Sequence, residues 1–223
     1  MNIFNYESKV YQILLTVADL IILNVLYLVC CIPIFTISAA QAGLFTGIRV
    51  LLDKEDDRSV AKSFFKGFAD GFGKSAIAGT ILLIVLCVLY FVFANTLAVY
   101  FNDKNLLPVI LSGFALLLAY IAHCLLGPFH ATFGCTVGQL IRNAFMVCIA
   151  YPLRSLAVTV LTALPLVVIL VWPQIFVGGV IAFLTMYYSC AYLICFSLLK
   201  KPFKRLKDSF NKAHGIEDEE TEE

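Results

Sequence analysis

The chain has 223 residues, of which 61% are hydrophobic and only 14% are charged, and its formal net charge is +1. Soluble domains are typically about 45–50% apolar and about 25% charged, so the composition excludes an ordinary water-soluble domain and indicates a membrane protein. The near-neutral charge predicts neither nucleic acid nor an acidic substrate as a partner.

Five apolar runs are each about as long as the roughly 17–25 residues that cross a bilayer as a helix. The first contains one acid, Asp19, and the other four contain no Lys, Arg, Asp or Glu. We therefore predict an all-α polytopic membrane protein, with one helical domain over residues 1–199 and a basic-then-acidic cytoplasmic tail over residues 200–223. The five predicted spans are 10–37, 77–101, 106–126, 156–172 and 175–199.

The beginning of the chain permits two topologies. If residues 10–37 cross once, there are five spans, the N-terminus is outside, and residues 34–52 form a helix that is buried in protein or extends toward the cytoplasm. If the chain turns at Pro33 and residues 34–52 cross back, there are six spans and the N-terminus is inside. Gln41 and Arg49 make that second segment a marginal span, which favours five.

Most Lys and Arg residues lie in three connections, at 49–74, at 128–155 and after residue 199. Cytoplasmic loops of membrane proteins carry an excess of Lys and Arg. This distribution predicts that all three segments, including the C-terminus, face the cytoplasm.

Residues 67–75 read GFADGFGKS and end in the Gly-Lys-Ser that closes a nucleotide-binding P-loop. The P-loop spacing requires Gly where this chain has Phe68, and no strand is predicted before the segment, so we exclude a P-loop. The pattern instead predicts a cytoplasmic amphipathic helix over residues 59–72, which Gly71 and Gly73 would end before the next span. Its apolar face would comprise Val60, Phe64, Phe65, Phe68 and Phe72. Gly67-x-x-x-Gly71 is weak evidence for helix association.

A set of residues between positions 23 and 79 points to a known family. The set comprises Asn24, Pro33, Thr36, Ala39, Ala40, Ala42 and the motif SFFKGFADGFGKS, which includes Phe64, Phe65 and Phe68. In these residues the chain resembles the YesL-like family of small bacterial integral membrane proteins, whose biochemical function is unassigned. Gly71 departs from the family pattern, in which an Asn often stands at this position. Family members are commonly encoded beside ABC-type carbohydrate uptake systems, so the resemblance implies the bacterial cytoplasmic membrane and a role near sugar import.

Polar side chains within spans are costly, so each is a candidate for a functional site. A proton relay or substrate contact that uses Asp19 with His123 is one interpretation, and polar contacts that only hold helices together are the other. Gly127-Pro128 is expected to break the helix between the two histidines, and two histidines without a third ligand make a poor metal site. The candidates are Asp19, Asn24, Asn95, His123 and His130.

No catalytic motif is found, so we expect no enzyme activity, no cofactor and no metal. The first functional hypothesis is an accessory subunit of a carbohydrate ABC importer, with the bilayer and the permease or ATPase subunits as partners. The second is an independent small transporter or channel that uses Asp19, Asn24 and His123, and homo-oligomers are compatible with either. The two are discriminated by whether these polar residues converge on one cavity.

Overall fold

The computed structural model describes residues 9–53, 59–133, 135–171 and 183–214, together with positions 174 and 179. Within these residues the chain is helical and contains no strand, which confirms the predicted all-α class. Among the described residues, four helical segments are long and apolar enough to span a membrane, or five if the bent pair α5–α6 counts as one span. The helices are α1 (Lys9–Cys30), α2 (Ile37–Asp53), α3 (Val60–Asp103), α4 (Leu107–Phe133), α5 (Val137–Ala150), α6 (Pro152–Val171) and α7 (Tyr188–His214).

Two predicted segments lie partly outside the described residues. In the run 175–199, the structure describes position 179 and residues from 183 onward. These begin with a π-helical turn, Phe183–Tyr187, which leads directly into α7. The acidic end of the tail, residues 217–223, also lies outside.

The first apolar run is divided by a turn between α1 and α2. Helix α1 ends at Cys30, Pro33 adopts an extended conformation, and a short 3₁₀ turn, Ile34–Thr36, leads into α2. The Thr36 hydroxyl donates to the carbonyls of Cys30 and Pro33, at 2.6 Å each. This side chain satisfies a carbonyl at the end of α1, where the helix itself supplies no partner. The segment from Ile34 to Asp53 passes the length and hydropathy criteria for a span and is 61% buried within the protein.

Replacing Thr36 by valine should lower the free energy of unfolding by about 1 kcal/mol, because the variant keeps the side-chain shape and loses the hydroxyl. Thermal unfolding of the purified protein in detergent measures the change. Thr16→Val is the control, since Thr16 is exposed and its described hydrogen bond is to the Gln12 carbonyl of its own helix. Equal losses in the two variants would contradict a special role for Thr36.

Helix α3 is continuous over 44 residues, which corrects the expectation that Gly71 and Gly73 end a separate helix. At 1.5 Å per residue it is about 66 Å long, roughly twice the ~30 Å hydrocarbon thickness of a bilayer. Its exposed charged residues, Lys62, Lys66, Asp70 and Lys74, all precede residue 75, and residues 75–101 contain none. The N-terminal part of α3 therefore extends beyond the hydrocarbon layer.

Helix α4 is also continuous and passes through Pro128 without a break, so the expected interruption at Gly127-Pro128 is corrected. Proline is tolerated within membrane helices where neighbouring helices compensate for the lost hydrogen bond. Residues 121–130 of α4 are all buried. His123 and His130 are seven residues apart, two turns of one helix, and therefore lie on the same side.

Helix α2 lies at the centre of the molecule and packs against α1, α3, α4 and α7. Its contact with α7 is aromatic, because the Phe45 ring lies 5.2 Å from that of Phe196 and 6.2 Å from that of Phe203. Phe203 also packs on Phe129 of α4, with ring centroids 4.9 Å apart. Helices α5 and α6 meet at a bend of 111°.

Large apolar side chains remain exposed along α1, the C-terminal part of α3 and the first half of α4. Examples are Ile13, Val88, Phe91, Ile110 and Phe114, each more than half exposed. Soluble monomers rarely expose continuous apolar surface on this scale. A lipid environment accounts for these surfaces, in agreement with the composition.

Candidate functional site: a buried polar seam between α2, α3 and α4

Four small residues recur at every fourth position of α3, namely Gly67, Gly71, Ser75 and Gly79, and all four are buried. A Cβ atom at Gly67 would lie 2.5 Å from the Thr46 hydroxyl oxygen, and one at Gly79 would collide with Ser38. The backbones of α2 and α3 are therefore closer than larger side chains would allow. Small residues spaced by four permit such close approach between membrane helices.

The stretch GFADGFGKS thus supplies a helix-packing surface. The pattern Gly67-x-x-x-Gly71, weak by itself, continues for two more turns through Ser75 and Gly79. Gly73, the glycine of the Gly-Lys-Ser sequence, faces open space and contributes nothing to this contact.

Helix α4 closes the third side of this contact, and we call the buried region between α2, α3 and α4 the seam. Gly127 faces α2, where an added Cβ would collide with the Gln41 side chain. His123 lies beside Gly79, with its Cε1 atom 3.8 Å from the position of an added Cβ. His130 lies beside Gly71, and its Cδ2 atom is 3.5 Å from the position of a Cβ added to Gly71. The two predicted histidines therefore line one seam.

Two hydrogen bonds cross the seam. The Ser75 hydroxyl donates to the Ser38 carbonyl at 3.0 Å, which joins α3 to α2. The Nε2 atom of His130 lies 3.0 Å from the Asp70 carbonyl, which joins α4 to α3. Because a carbonyl only accepts, the proton of this bond is on Nε2.

Four other buried polar atoms in the seam have no hydrogen-bond partner among the described residues: Ser38 Oγ, Gln41 Oε1, His123 Nδ1 and His130 Nδ1. A buried polar group without a partner costs about 1–3 kcal/mol, so this concentration is unusual. The seam is uncharged, since the buried residues that the structure describes include no Lys, Arg, Asp or Glu. It offers hydrogen-bond donors and acceptors, and within the described ranges no three His, Cys, Asp or Glu residues are grouped to hold a metal.

The other predicted polar residues lie elsewhere. Asn24 is fully buried on α1, and its Oδ1 accepts the backbone N–H groups of Tyr188 at 2.8 Å and Ser189 at 3.3 Å. Asn95 is exposed, and its amide donates to the Phe91 carbonyl of its own helix at 2.7 Å. Asp19 is partly exposed on α1. The described contacts of Asn24, Asn95 and His123 thus lie in three separate parts of the structure: between α1 and α7, within α3, and in the seam.

The predicted phenylalanine face is divided between two surroundings. Phe64 and Phe68 stack with an interplanar angle of 8° and pack against Gly43 of α2. Phe65 and Phe72, by contrast, are about half exposed. Phe64 thus belongs to the core, while Phe65 and Phe72 remain available at the surface.

Sequence reasoning missed Ser38, Gln41 and Ser75 as residues of the seam. The signal for Ser75 was present, because Gly67, Gly71, Ser75 and Gly79 are spaced by four in the printed sequence. Ser38 and Gln41 could not be found in this way, since their positions follow from how α2 packs between two other helices.

Residues 20–93 match the model of a protein family described as "Protein of unknown function, DUF624". The matched segment contains part of α1, all of α2 and the first part of α3, and therefore the α2–α3 side of the seam. His123 and His130 lie outside it. The match is compatible with the resemblance to the YesL-like family. No curated protein and no solved structure matches the chain.

Proposed function

We propose that this chain is a non-enzymatic accessory subunit of a carbohydrate ABC importer in the bacterial cytoplasmic membrane, and that it binds the permease or ATPase subunits. The observation that carries the proposal is that Asn24 contacts the start of α7 while His123 lies in the seam beside Gly79 of α3, and Asp19 is partly exposed on α1. A transport pathway built on Asp19, Asn24 and His123 would require these three residues to converge. The carbohydrate and the bacterial membrane come from the resemblance to the YesL-like family.

The N-terminal part of α3 offers the surface for such a partner. Lys62, Phe65, Lys66, Ala69 and Phe72 are all exposed. Their spacing of three or four residues places them on one side of the helix. We call this side the α3 strip. Exposed aromatic residues are enriched in protein interfaces, and the two lysines favour an acidic partner surface.

Phe65→Ala combined with Phe72→Ala should reduce the recovery of permease or ATPase subunits by about tenfold or more. Buried aromatic residues at interfaces often contribute about 2 kcal/mol or more, and 1.4 kcal/mol corresponds to a factor of ten. The measurement is a mild-detergent pull-down of the tagged protein from its native host, with the two subunit classes quantified by mass spectrometry.

Phe91→Ala combined with Phe101→Ala is the matched control. Both residues are exposed on the same helix but lie in its uncharged part. The control should recover the same subunits as the wild type. If the wild type is recovered without these subunits, the proposed partner is wrong. If both double variants retain the subunits equally, the proposed binding surface is wrong.

An independent small transporter or channel remains the second candidate, and the four unpartnered polar atoms of the seam favour it. Such groups are available to bind a solute or a proton during a transport cycle. Uptake of a sugar into proteoliposomes that contain this chain alone would replace the accessory proposal with this one.

A further inference from the structure

A groove of about 180 Å³ lies where the end of α5 meets α7. We call it the elbow groove, because α5 and α6 bend by 111° at this point. Its walls are mainly apolar, with one phenol and one guanidinium. The lining residues are Met146, Val147, Ala150, Tyr151, Arg205 and Leu206.

Positive charge dominates the region that forms the groove. Residues 135–214 contain eight Lys and Arg residues and one acid, Asp208. Arg205 lines the groove itself, and the guanidinium of Arg154 lies 5.9 Å from the ring centroid of Tyr151, another lining residue. Because the excess of basic residues is large, an anionic group is the electrostatic complement of this region. The eight are Arg142, Arg154, Lys200, Lys201, Lys204, Arg205, Lys207 and Lys212.

The outer side of the elbow has the character of a membrane interface. Ile149 is 73% exposed and Leu153 is 82% exposed, and Met146 on the groove wall is also more than half exposed. Large exposed apolar side chains next to Arg and Lys residues are typical of helices that lie in the headgroup region. The sequence predicts a span over residues 156–172, and with α6 in that span the 111° bend would direct α5 along the membrane surface.

We propose that the elbow groove binds the headgroup of an anionic phospholipid. The phosphate ester lies against Arg205 and Arg154, and the glycerol and first acyl carbons lie against Met146 and Ala150. An anionic lipid carries both complementary parts, a charged phosphate and apolar acyl chains, in one molecule.

The test uses the full chain in mixed micelles that contain phosphatidylglycerol or phosphatidylcholine, with bound lipid counted by native mass spectrometry. The wild type should retain phosphatidylglycerol in preference to phosphatidylcholine. Arg205→Gln should weaken phosphatidylglycerol binding by about fivefold, since a basic residue near anionic lipid contributes about 1 kcal/mol. Arg205→Lys should remain near the wild type because the charge is kept.

Two further variants separate the groove from general surface charge. Lys74→Gln removes the same charge from an exposed position on α3, outside the α3 strip, and should leave binding unchanged. Ala150→Trp fills the groove without changing the charge and should weaken binding at least as much as Arg205→Gln. All variants are first compared with the wild type for yield and melting temperature, so that loss of fold is recognised.

Three results would overturn the proposal. One is equal retention of phosphatidylglycerol and phosphatidylcholine by the wild type. Another is an equal loss in Lys74→Gln and Arg205→Gln, which would reduce the effect to diffuse charge. The third is unchanged binding in folded Ala150→Trp, which would place the lipid outside the groove.

Discussion

Replacing Gly127 by alanine is expected to separate α4 from α2 and to destabilise the protein more than any exposed substitution. An added Cβ would collide with the Gln41 side chain and would lie 2.9 Å from two backbone atoms, Ala42 N and Gln41 C. Backbone atoms cannot rotate away, so one helix must shift. Overpacking a well-packed core typically costs about 1–3 kcal/mol and sometimes more, and we expect the upper part of this range.

For Gly73→Ala we expect the opposite effect on stability. Gly73 lies inside α3, and nothing approaches within 4 Å of an added Cβ. Alanine should therefore stabilise the helix by about 0.5–1 kcal/mol, because glycine loses more conformational freedom on folding. Thermal unfolding in detergent, followed by size-exclusion chromatography, measures both variants.

The contrast between the two glycines tests the structure directly. If the helices of the seam pack as closely as described, the melting temperature should fall for Gly127→Ala and stay unchanged or rise for Gly73→Ala. If Gly73→Ala were the more damaging change, the close approach of α2, α3 and α4 would be wrong.

The sequence predicts the membrane class well because that class depends on composition and on the length of apolar runs. It predicts helix ends poorly. Gly71 and Gly73 are local helix-ending signals, yet α3 continues through both. The buried face of α3 that includes Gly71 packs against α2, so a tertiary contact outweighs local propensity. Helix α4 likewise continues through Pro128, which lies in the fully buried part of this helix.

The phenylalanine periodicity shows a similar limit. It correctly places Phe64 and Phe68 on one side of a helix, but it cannot tell which neighbour covers that side. Phe65 falls only one residue from Phe64, which is 100° around the helix, and it is exposed. A pattern in one helix therefore predicts a face, while the division into core and surface depends on the position of α2.

Asn24 shows why a polar residue in a span is ambiguous. The free-energy cost of placing a polar side chain within the membrane marks Asn24 as a functional candidate. In the structure, however, this side chain holds two helices together. Helix α7 begins directly after a π-helical turn, Phe183–Tyr187, where the regular hydrogen-bond pattern of an α-helix is interrupted. The Asn24 side chain accepts hydrogen bonds from the backbone N–H groups of Tyr188 and Ser189, and so joins α1 to the start of α7.

Asn24→Leu should therefore detach the start of α7 from α1. Leucine is of similar size but cannot accept a hydrogen bond, so the buried N–H groups of Tyr188 and Ser189 lose this acceptor. Each such loss should lower the free energy of unfolding by about 1–3 kcal/mol. The aromatic contact between Tyr27 and Tyr188, with ring centroids 4.8 Å apart, lies beside this bond and should loosen with it. The expected result is a large fall in melting temperature and faster proteolysis near residue 188.

Asn95→Leu is the matched control, since the same amide is lost from an exposed position whose described hydrogen bond stays within one helix. Surface substitutions of this kind usually change stability by less than about 0.5 kcal/mol. A melting temperature that falls only for Asn24→Leu would assign Asn24 to helix packing and support the accessory role. If instead Asn24→Leu remained as stable as Asn95→Leu, the buried amide would not be needed for the fold, and a solute pathway past Asn24 would become the better explanation for its place in the membrane.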